Sequence, residues 1–195
     1  RQMCIRDSGW ERAPAGTYLD LCAGTLDVAA ALAARPGFSG HVLGADFAEP
    51  MLRAGARKVP STVTPVVADA LDLPLRDESV DGAIVAFGIR NVADLDAGLA
   101  EALRVLRPGA RFVVLEFSTP TSPIVRAAYH AYFHHVLPAI GGAISGHGTA
   151  YRYLPTSVEH FPSASDLMNR MESVGFDGVE WDLLTLGVAA LHVAQ

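Results

Sequence analysis

Short apolar strand patterns alternate with helical segments along this chain, and this alternation constrains the fold more than any other feature. The segment Thr17–Cys22 reads as a buried strand and is followed by the Ala-rich helical segment Val28–Ala34. Further strand patterns are His41–Asp46, Val63–Ala68, Gly82–Phe87 and Arg111–Phe117. Helical patterns between them are Pro50–Lys58 and Asp94–Leu106, and a break at Pro108-Gly109 follows the second of these. Such alternation predicts a parallel sheet with helices on both faces.

The C-terminal end has a different pattern. Two strand-like runs, Val179–Thr185 and Val188–Ala194, are joined by Leu186-Gly187 alone. So short a link predicts an antiparallel hairpin, because a parallel crossover needs about a dozen residues. We therefore expect an α/β fold with a doubly wound, Rossmann-like sheet, mostly parallel and ending in an antiparallel C-terminal hairpin. This outline resembles that of class I methyltransferases. Residues 17–195 form the predicted domain, and residues 1–16 read as an atypical leader or the remnant of an N-terminal cap.

Charge and cysteine content exclude several classes of protein. The 195 residues carry a formal net charge of −6 and contain no long run of Lys or Arg, which argues against nucleic acid as a partner. Two cysteines cannot build a disulfide framework. No stretch reaches the ~18 apolar residues of a membrane-spanning helix. We expect a cytoplasmic protein, with peripheral contact at the inner face of the membrane and homo-oligomer formation left open.

Three successive strand patterns end in, or lie next to, an aspartate. Asp20 belongs to the first strand, Asp46 ends the second, and Asp69 follows the third. Ligands of open parallel sheets lie outside the carboxyl ends of the strands, where the strand order reverses. A carboxylate after the second strand suits ribose hydroxyls, and one after the third suits an adenine amino group. The alternative is that these aspartates cap helices or fill turns.

The residues around Asp46 and the first loop refine this prediction. Pro50 fits the first helical position, which places the cap at Glu49 and leaves Asp46 free. A dinucleotide would need a G-x-G-x-x-G loop for its pyrophosphate, whereas the first loop, Cys22–Asp27, contains a single glycine, Gly24. S-adenosylmethionine has no phosphate, so the loop favours methyl transfer over hydride transfer.

Four segments together resemble one family of enzymes. They are Phe87-Gly-Ile-Arg-Asn-Val92, the stretch from Arg104 to Ser118, Tyr151-Arg-Tyr-Leu154 and the ending Gly187-Val-Ala-Ala-Leu-His192. They are similar to motifs of the quinone-ring C-methyltransferases of menaquinone and ubiquinone biosynthesis, and the resemblance spans roughly Tyr18 to His192. It implies S-adenosylmethionine as methyl donor and a polyprenylated hydroquinone, most specifically demethylmenaquinol, as acceptor. Two alternatives stay open: another small acceptor, or a truncated member that binds cofactor without turnover.

The resemblance and the strand-end pattern together suggest the cofactor site. In this sequence Leu26 stands where many relatives have a second glycine, and we expect it to narrow the approach of the cofactor. Ala86 stands where many have a serine facing the cofactor. The predicted cofactor-contacting residues are Asp20, Gly24, Thr25, Asp46, Asp69, Ala70 and Ala86.

Catalytic candidates follow the fourth and fifth strands. Arg90 is predicted to stabilise a developing phenolate, and Asn91 to orient the acceptor ring. Glu116 either orients Arg90 or acts as a base. The alternative for Arg90 is a structural role in which it pairs with Glu116 or Asp94. Tyr151 and Tyr153, with Arg152 between them, are predicted to form the acceptor wall or simply to pack as aromatic side chains.

Histidines offer a further, weaker possibility. His130 and His134 are four residues apart, a spacing that suits zinc on a helix. Neither has a nearby Cys or acidic partner in sequence, so we expect no metal. His134 or His135 is kept as a minor candidate for the base.

Overall fold

The structure is a computed structural model that describes residues 9–120, 122–131, 157–158 and 160–195. Seven strands form one sheet in the order β3-β2-β1-β4-β5-β7-β6. Strands β1 to β5 run parallel, and β7 is antiparallel to both β5 and β6. The predicted doubly wound sheet with a C-terminal antiparallel hairpin is thereby confirmed. The strands are β1 (Thr17–Leu21), β2 (His41–Asp46), β3 (Val63–Val67), β4 (Val80–Ala86), β5 (Leu106–Phe117), β6 (Glu180–Leu184) and β7 (Ala189–Ala194).

Five α-helices accompany the sheet in the described residues: α1 (Asp27–Ala33), α2 (Glu49–Ala56), α3 (Leu95–Val105), α4 (Pro123–Ala131) and α5 (Ala164–Val174). Sequence analysis did not predict α5, although its end signals are present. Ser163 Oγ accepts a hydrogen bond from the Asp166 N–H at 3.2 Å, and Gly175 ends the helix at φ +117°. None of the described helices is both long and apolar enough to cross a membrane.

The junction between α3 and β5 differs from the prediction. Pro108-Gly109 was expected to break the chain between helix and strand, but α3 ends at Val105 and β5 already contains both residues. Val80 of β4 pairs with Leu106, whereas Gly82 pairs with Arg111, so β5 bulges between these two pairs. A bulge tolerates proline because the residues inside it donate no ladder hydrogen bond. The turn signal is therefore real, and it marks a bulge inside the strand.

Both faces of the sheet are covered by hydrophobic cores. Alternate residues of β1 point to opposite faces, so Leu19 belongs to one core and Tyr18 to the other. Helices α3 and α5 cover the Leu19 face, and α1 with α2 covers the Tyr18 face. Strands buried on both sides explain the almost uninterrupted apolar runs in the sequence.

The residues before β1 pack against the Tyr18 face. Trp10 is buried, and its ring meets Phe38 edge-on at 6.1 Å between centroids. The Tyr18 hydroxyl donates to the Ala13 carbonyl oxygen at 3.1 Å. Residues 9–16 are therefore attached to the domain, while the boundary drawn between residues 16 and 17 stays a prediction.

Candidate active site

A cavity of about 650 Å³ opens at the carboxyl ends of β1 to β4, and we call it the strand-end cavity. It lies where the strand order reverses between β1 and β4, the usual place for a ligand in a doubly wound sheet. Its walls are mostly apolar. The lining residues are Leu21, Cys22, Gly24, Ala45, Asp46, Phe47, Ala48, Met51, Ala68, Asp69, Ala70, Leu71, Phe87, Gly88, Asn91, Val92 and Ala93.

Asp46 is the last residue of β2 and joins two loops at the cavity wall. Its Oδ2 accepts a hydrogen bond from the Gly24 N–H at 2.8 Å, and its Oδ1 accepts one from the Ala48 N–H at 2.8 Å. The prediction that Glu49 caps α2 and leaves Asp46 free is wrong, because the cap position is Ala48 and Asp46 bonds to it. A carboxylate offers about four lone-pair sites, so each oxygen still has room for a ligand hydroxyl.

Asp69 and Ala70 line the same cavity after β3, as sequence analysis placed them. The Asp69 side chain is exposed, and its Oδ1 accepts the Leu71 N–H at 2.9 Å in a local turn. Asp46 and Asp69 thus face one space from two neighbouring strands. A nucleoside placed there would meet two carboxylates and an apolar surface.

Three other predicted contacts lie away from this lining: Asp20, Thr25 and Ala86. Asp20 is buried, and its Oδ2 accepts the Ala29 N–H at 2.9 Å, so it holds the first turn of α1. The Thr25 hydroxyl donates to Asp27 Oδ2 at 2.7 Å. The hydrogen bond from Ala29 supports the alternative that Asp20 positions a helix.

Leu26 does not narrow the strand-end cavity. Its side chain is fully buried in the core on the Tyr18 face, and it is absent from the cavity lining. Its φ of +61° lies in the left-handed region, which favours glycine. Glycine adopts this backbone without strain, whereas in this chain a leucine adopts it and directs its side chain inward.

Cys22 lines the cavity, as expected for the loop after β1, whereas Phe47 and Met51 are among the lining residues that sequence analysis did not single out. Burial raises the pKa of the Cys22 thiol to about 12, and the carboxylate of Asp46 adds to the shift. Phe47 and Met51 are both exposed although they are large and apolar. Phe47 directly follows Asp46 and Met51 lies in the first turn of α2, and these positions could have predicted that both residues face the cavity.

Arg90 and Glu116 form a buried ion pair beside the cavity. Arg90 Nη1 lies 2.8 Å from Glu116 Oε1, and the two side chains are 10% and 1% exposed. Arg90 Nη1 also donates to the Phe87 carbonyl oxygen, and Arg90 Nε donates to Ser157 Oγ at 3.3 Å. The guanidinium stacks over the Phe117 ring at 5.3 Å.

These contacts decide between the predicted pairings of Arg90. The ion pair forms with Glu116, whereas Asp94 caps α3 by accepting the Ala97 N–H at 3.0 Å. Burial raises the pKa of Glu116 despite the opposing effect of Arg90. Because Glu116 is 1% exposed and lines no described cavity, the geometry favours an orienting role for it over that of a base.

A second cavity of about 420 Å³ adjoins the first. Val92 and Ala93 line both, and Asn91 faces the strand-end cavity while Arg90 faces the second one. The turn 89–91 therefore separates a nucleoside-sized space from a more polar one. The other residues that line the second cavity are Ile89, Leu95, Ser157, His160, Phe161, Pro162 and Arg170.

Several predicted residues lie outside the described part of the chain. Tyr151, Arg152 and Tyr153 are among them, as are His134 and His135. His130 belongs to α4 by its backbone, and its side chain is not described. Within the described ranges, no group of three or more His, Cys, Asp or Glu residues is arranged to hold a metal ion.

Comparison with solved structures shows the same fold at low sequence identity. A SAM-dependent methyltransferase from Aquifex aeolicus matches with a TM-score of 0.66 and 18% identity, covering 92% of this chain and 81% of its own. The [4+2]-cyclase SpnF matches with a TM-score of 0.69 and 16% identity, covering 92% and 75%. At such identities the likeness concerns the fold alone.

Sequence relatives are much closer. A demethylmenaquinone methyltransferase from Thermus thermophilus is 48% identical over 193 residues, which is 97% of this chain and 86% of that protein. A ubiquinone/menaquinone biosynthesis C-methyltransferase UbiE from Geotalea daltonii is 42% identical, with the same two coverages. The model of the ubiE/COQ5 methyltransferase family matches residues 2–195. The chain belongs to the ubiE/COQ5 methyltransferase family, as its motifs predicted.

Proposed function

We propose that this chain transfers a methyl group from S-adenosylmethionine to a ring carbon of a polyprenylated hydroquinone, converting demethylmenaquinol to menaquinol. The observation that carries this proposal is the 48% identity to a demethylmenaquinone methyltransferase across 97% of the chain. The strand-end cavity supports it, because its size and its two carboxylates suit a nucleoside.

The residues of the strand-end cavity fit S-adenosylmethionine. Asp46, held by two backbone amides, has acceptor sites left for the ribose hydroxyls, and Asp69 can accept from the adenine amino group. Phe47 and Met51 offer apolar surface to the base. Gly24 faces the cavity where the amino-acid end would lie. When bound, the cofactor supplies an electrophilic methyl group.

The acceptor ring belongs, in this proposal, on the Asn91 side of the strand-end cavity. Asn91 would orient the ring, and the Arg90–Glu116 pair would hold the turn that carries Asn91. Arg90 precedes Asn91 and lines the adjoining second cavity, and its positive charge would favour the phenolate form of the acceptor across that turn. Because methylation replaces a ring hydrogen, the chain must also let that proton leave. Holding carbon and methyl in line provides much of the rate, since positioning removes an entropic barrier.

The test is methyl transfer from labelled S-adenosylmethionine to a reduced, short-tailed demethylmenaquinone. A labelled naphthoquinol product supports the proposal. A product seen only with a benzoquinol acceptor would assign the chain to ubiquinone biosynthesis instead. Cofactor binding without product from either acceptor would leave the non-catalytic alternative standing. No binding at all contradicts the proposal.

Two substitutions separate binding from turnover. Asp46→Ala should abolish binding of S-adenosylhomocysteine in calorimetry, because it removes the ribose acceptor and releases Gly24. Arg90→Ala should spare that binding and lose turnover, because Arg90 supports the acceptor side. Full turnover in Arg90→Ala would contradict the role given to this residue.

Peripheral membrane contact is part of the same proposal. Four strongly exposed apolar side chains lie on the edge of the sheet that holds the cavity: Phe47, Val67, Ile124 and Leu186. Substrates with a polyprenyl tail reside in lipid, and an apolar edge around the cavity would let the ring reach the site from the bilayer surface. Ile124→Ser with Leu186→Asn should lower co-sedimentation with lipid vesicles, while Leu183→Ser, on the exposed face of β6, should not.

A further inference from the structure

The loop after β1, residues 22–26, has an unusual backbone for a segment that contains one glycine. Cys22, Gly24 and Leu26 have φ values of +54°, +52° and +61°. L-residues such as Cys and Leu rarely adopt this left-handed region, so contacts from outside the loop must stabilise it. Because Cys22 and Gly24 line the strand-end cavity, the loop backbone sets part of the cavity wall.

Strand β2 approaches this loop through Gly44. A Cβ atom at Gly44 would overlap Leu26 Cδ2 and lie 3.4 Å from the Ala23 Cβ. Leu26 is fully buried, so its methyl group has packed neighbours wherever it turns. The bare backbone of Gly44 leaves the space that the inward-pointing Leu26 side chain fills.

Helix α2 approaches the same loop through Gly55. A Cβ atom at Gly55 would overlap the Thr25 carbonyl oxygen, and it would lie 2.5 Å from the carbonyl carbon and 3.0 Å from Thr25 Cα. These are backbone atoms, so no side-chain rotation can relieve the overlap. An alanine here must displace the loop or the helix.

We propose that Gly44 and Gly55 are positioning residues for the cofactor. They let β2 and α2 contact the loop closely enough to fix Gly24 against Asp46 before the cofactor binds. The Gly24 N–H donates to Asp46 Oδ2 at 2.8 Å, so a displaced loop also disturbs the residue that receives the ribose. This inference rests on the proposed cofactor, S-adenosylmethionine.

Calorimetric binding of S-adenosylhomocysteine to five variants of the full chain tests it: Gly44→Ala, Gly55→Ala, Leu26→Ala and the two glycine variants each combined with Leu26→Ala. Gly44→Ala and Gly55→Ala should each raise Kd by about tenfold or more, because relief of the overlap moves the loop. In a Leu26→Ala background, Gly44→Ala should change Kd by less than about threefold, since the overlapping methyl group is gone. Gly55→Ala should keep its full effect in that background, because its contact is with backbone.

A matched control separates positioning from general destabilisation. A Cβ atom at Gly40 would overlap the Gly16 carbonyl oxygen at the opposite end of β2, so Gly40→Ala introduces a similar clash far from the cavity. It should lower Tm and leave Kd unchanged. For Gly44→Ala and Gly55→Ala, KM for S-adenosylmethionine should rise while kcat at saturation stays within about twofold. These variants lose binding that is equally strong in the ground state and in the transition state.

The outcomes distinguish this inference from the proposed function. If the unsubstituted chain binds no S-adenosylhomocysteine, the proposed function fails and this inference with it. If the unsubstituted chain binds and Gly44→Ala and Gly55→Ala bind equally well, this inference alone is overturned. An equal loss of affinity in Gly40→Ala, or a loss in Gly44→Ala that Leu26→Ala leaves unrelieved, also overturns it.

Discussion

The two sides of the strand-end cavity are held in place by different kinds of interaction. On the β2 side, the loop 22–26 packs closely against Gly44 and Gly55, and its Gly24 N–H donates a hydrogen bond to Asp46. On the β5 side, the buried ion pair between Arg90 and Glu116 stabilises the turn that carries Asn91.

Buried polar groups follow the same division. Of the four buried polar or charged residues in the described ranges, Glu116, Ser118 and His192 lie on or beside β5 and β7. The fourth, Asp20, serves the β1 side by accepting the Ala29 N–H. Close packing responds to changes of volume, whereas buried charge responds to changes of charge and pH. The two sides should therefore fail under different substitutions.

Loss of the buried ion pair on the β5 side should change stability most. Glu116→Leu leaves the Arg90 guanidinium buried without its carboxylate and should lower the free energy of unfolding by about 3–5 kcal/mol in urea titrations. The double variant Arg90→Met, Glu116→Leu should recover most of that loss, because an apolar pair replaces the charges. As a control, Glu49→Gln in the exposed Glu49–Arg53 pair should change stability by less than about 1 kcal/mol. A double variant as unstable as the single one would contradict this picture of the β5 side.

The next effect is a pH dependence on the same side. His192 is buried, its Nε2 lies 2.8 Å from the Ala164 carbonyl oxygen, and Nδ1 has no hydrogen-bond partner among the described residues. Burial lowers its pKa from the ordinary value of 6.5. Below pH 6.5 the unfolded chain therefore binds a proton that the folded chain resists.

Stability should accordingly fall as pH drops from 6.5 towards the folded pKa of His192, by up to about 1.4 kcal/mol per pH unit, and then level off. Urea titrations between pH 5 and 8 measure this slope. His192→Gln, which does not titrate, should remove that part of the slope. An unchanged slope in His192→Gln would assign the acid sensitivity to other groups.

On the β2 side, the sharpest comparison concerns Leu26. Truncation to alanine keeps the left-handed backbone under strain, whereas truncation to glycine relieves it. Leu26→Gly should therefore be more stable than Leu26→Ala by about 1 kcal/mol. At Leu32, within α1, the alanine variant should instead be more stable than the glycine variant by about the same amount, because glycine destabilises a helix. Thermal unfolding of the four variants decides this, and the same order at both positions would contradict it.

The smallest effect concerns Cys22. Burial raises the pKa of its thiol to about 12, so little thiolate exists at pH 8. Alkylation by iodoacetamide, followed by mass mapping of the Cys22 peptide, should be far slower than that of glutathione and should still accelerate between pH 8 and 10. Bound S-adenosylhomocysteine should slow it further, since Cys22 lines the cavity. Rapid alkylation at pH 8 would show that the loop opens.

Much of the cofactor side was predictable from sequence. Asp46 and Asp69 were placed by their position after apolar strands and Ala70 by the family resemblance, and the structure brings all three to one cavity. This succeeds because parallel strands bring their carboxyl ends to one edge whatever the details of packing. The acceptor side was harder to predict from the sequence. Arg90 and Glu116 were singled out, but their pairing was one of two alternatives until the β4–β5 neighbourhood was known.

The strand and helix alternation, the C-terminal hairpin and the family could all be predicted from the amino-acid sequence, because periodicity, turn residues and motifs are local properties of the chain. The folded structure was needed to show that Leu26 points into the core beneath Gly44, and that Phe47 and Met51 line the cavity. It also decided that Glu116 holds Arg90. Each of these depends on which strands are neighbours and in what register, and residues far apart in sequence meet only when the sheet has formed.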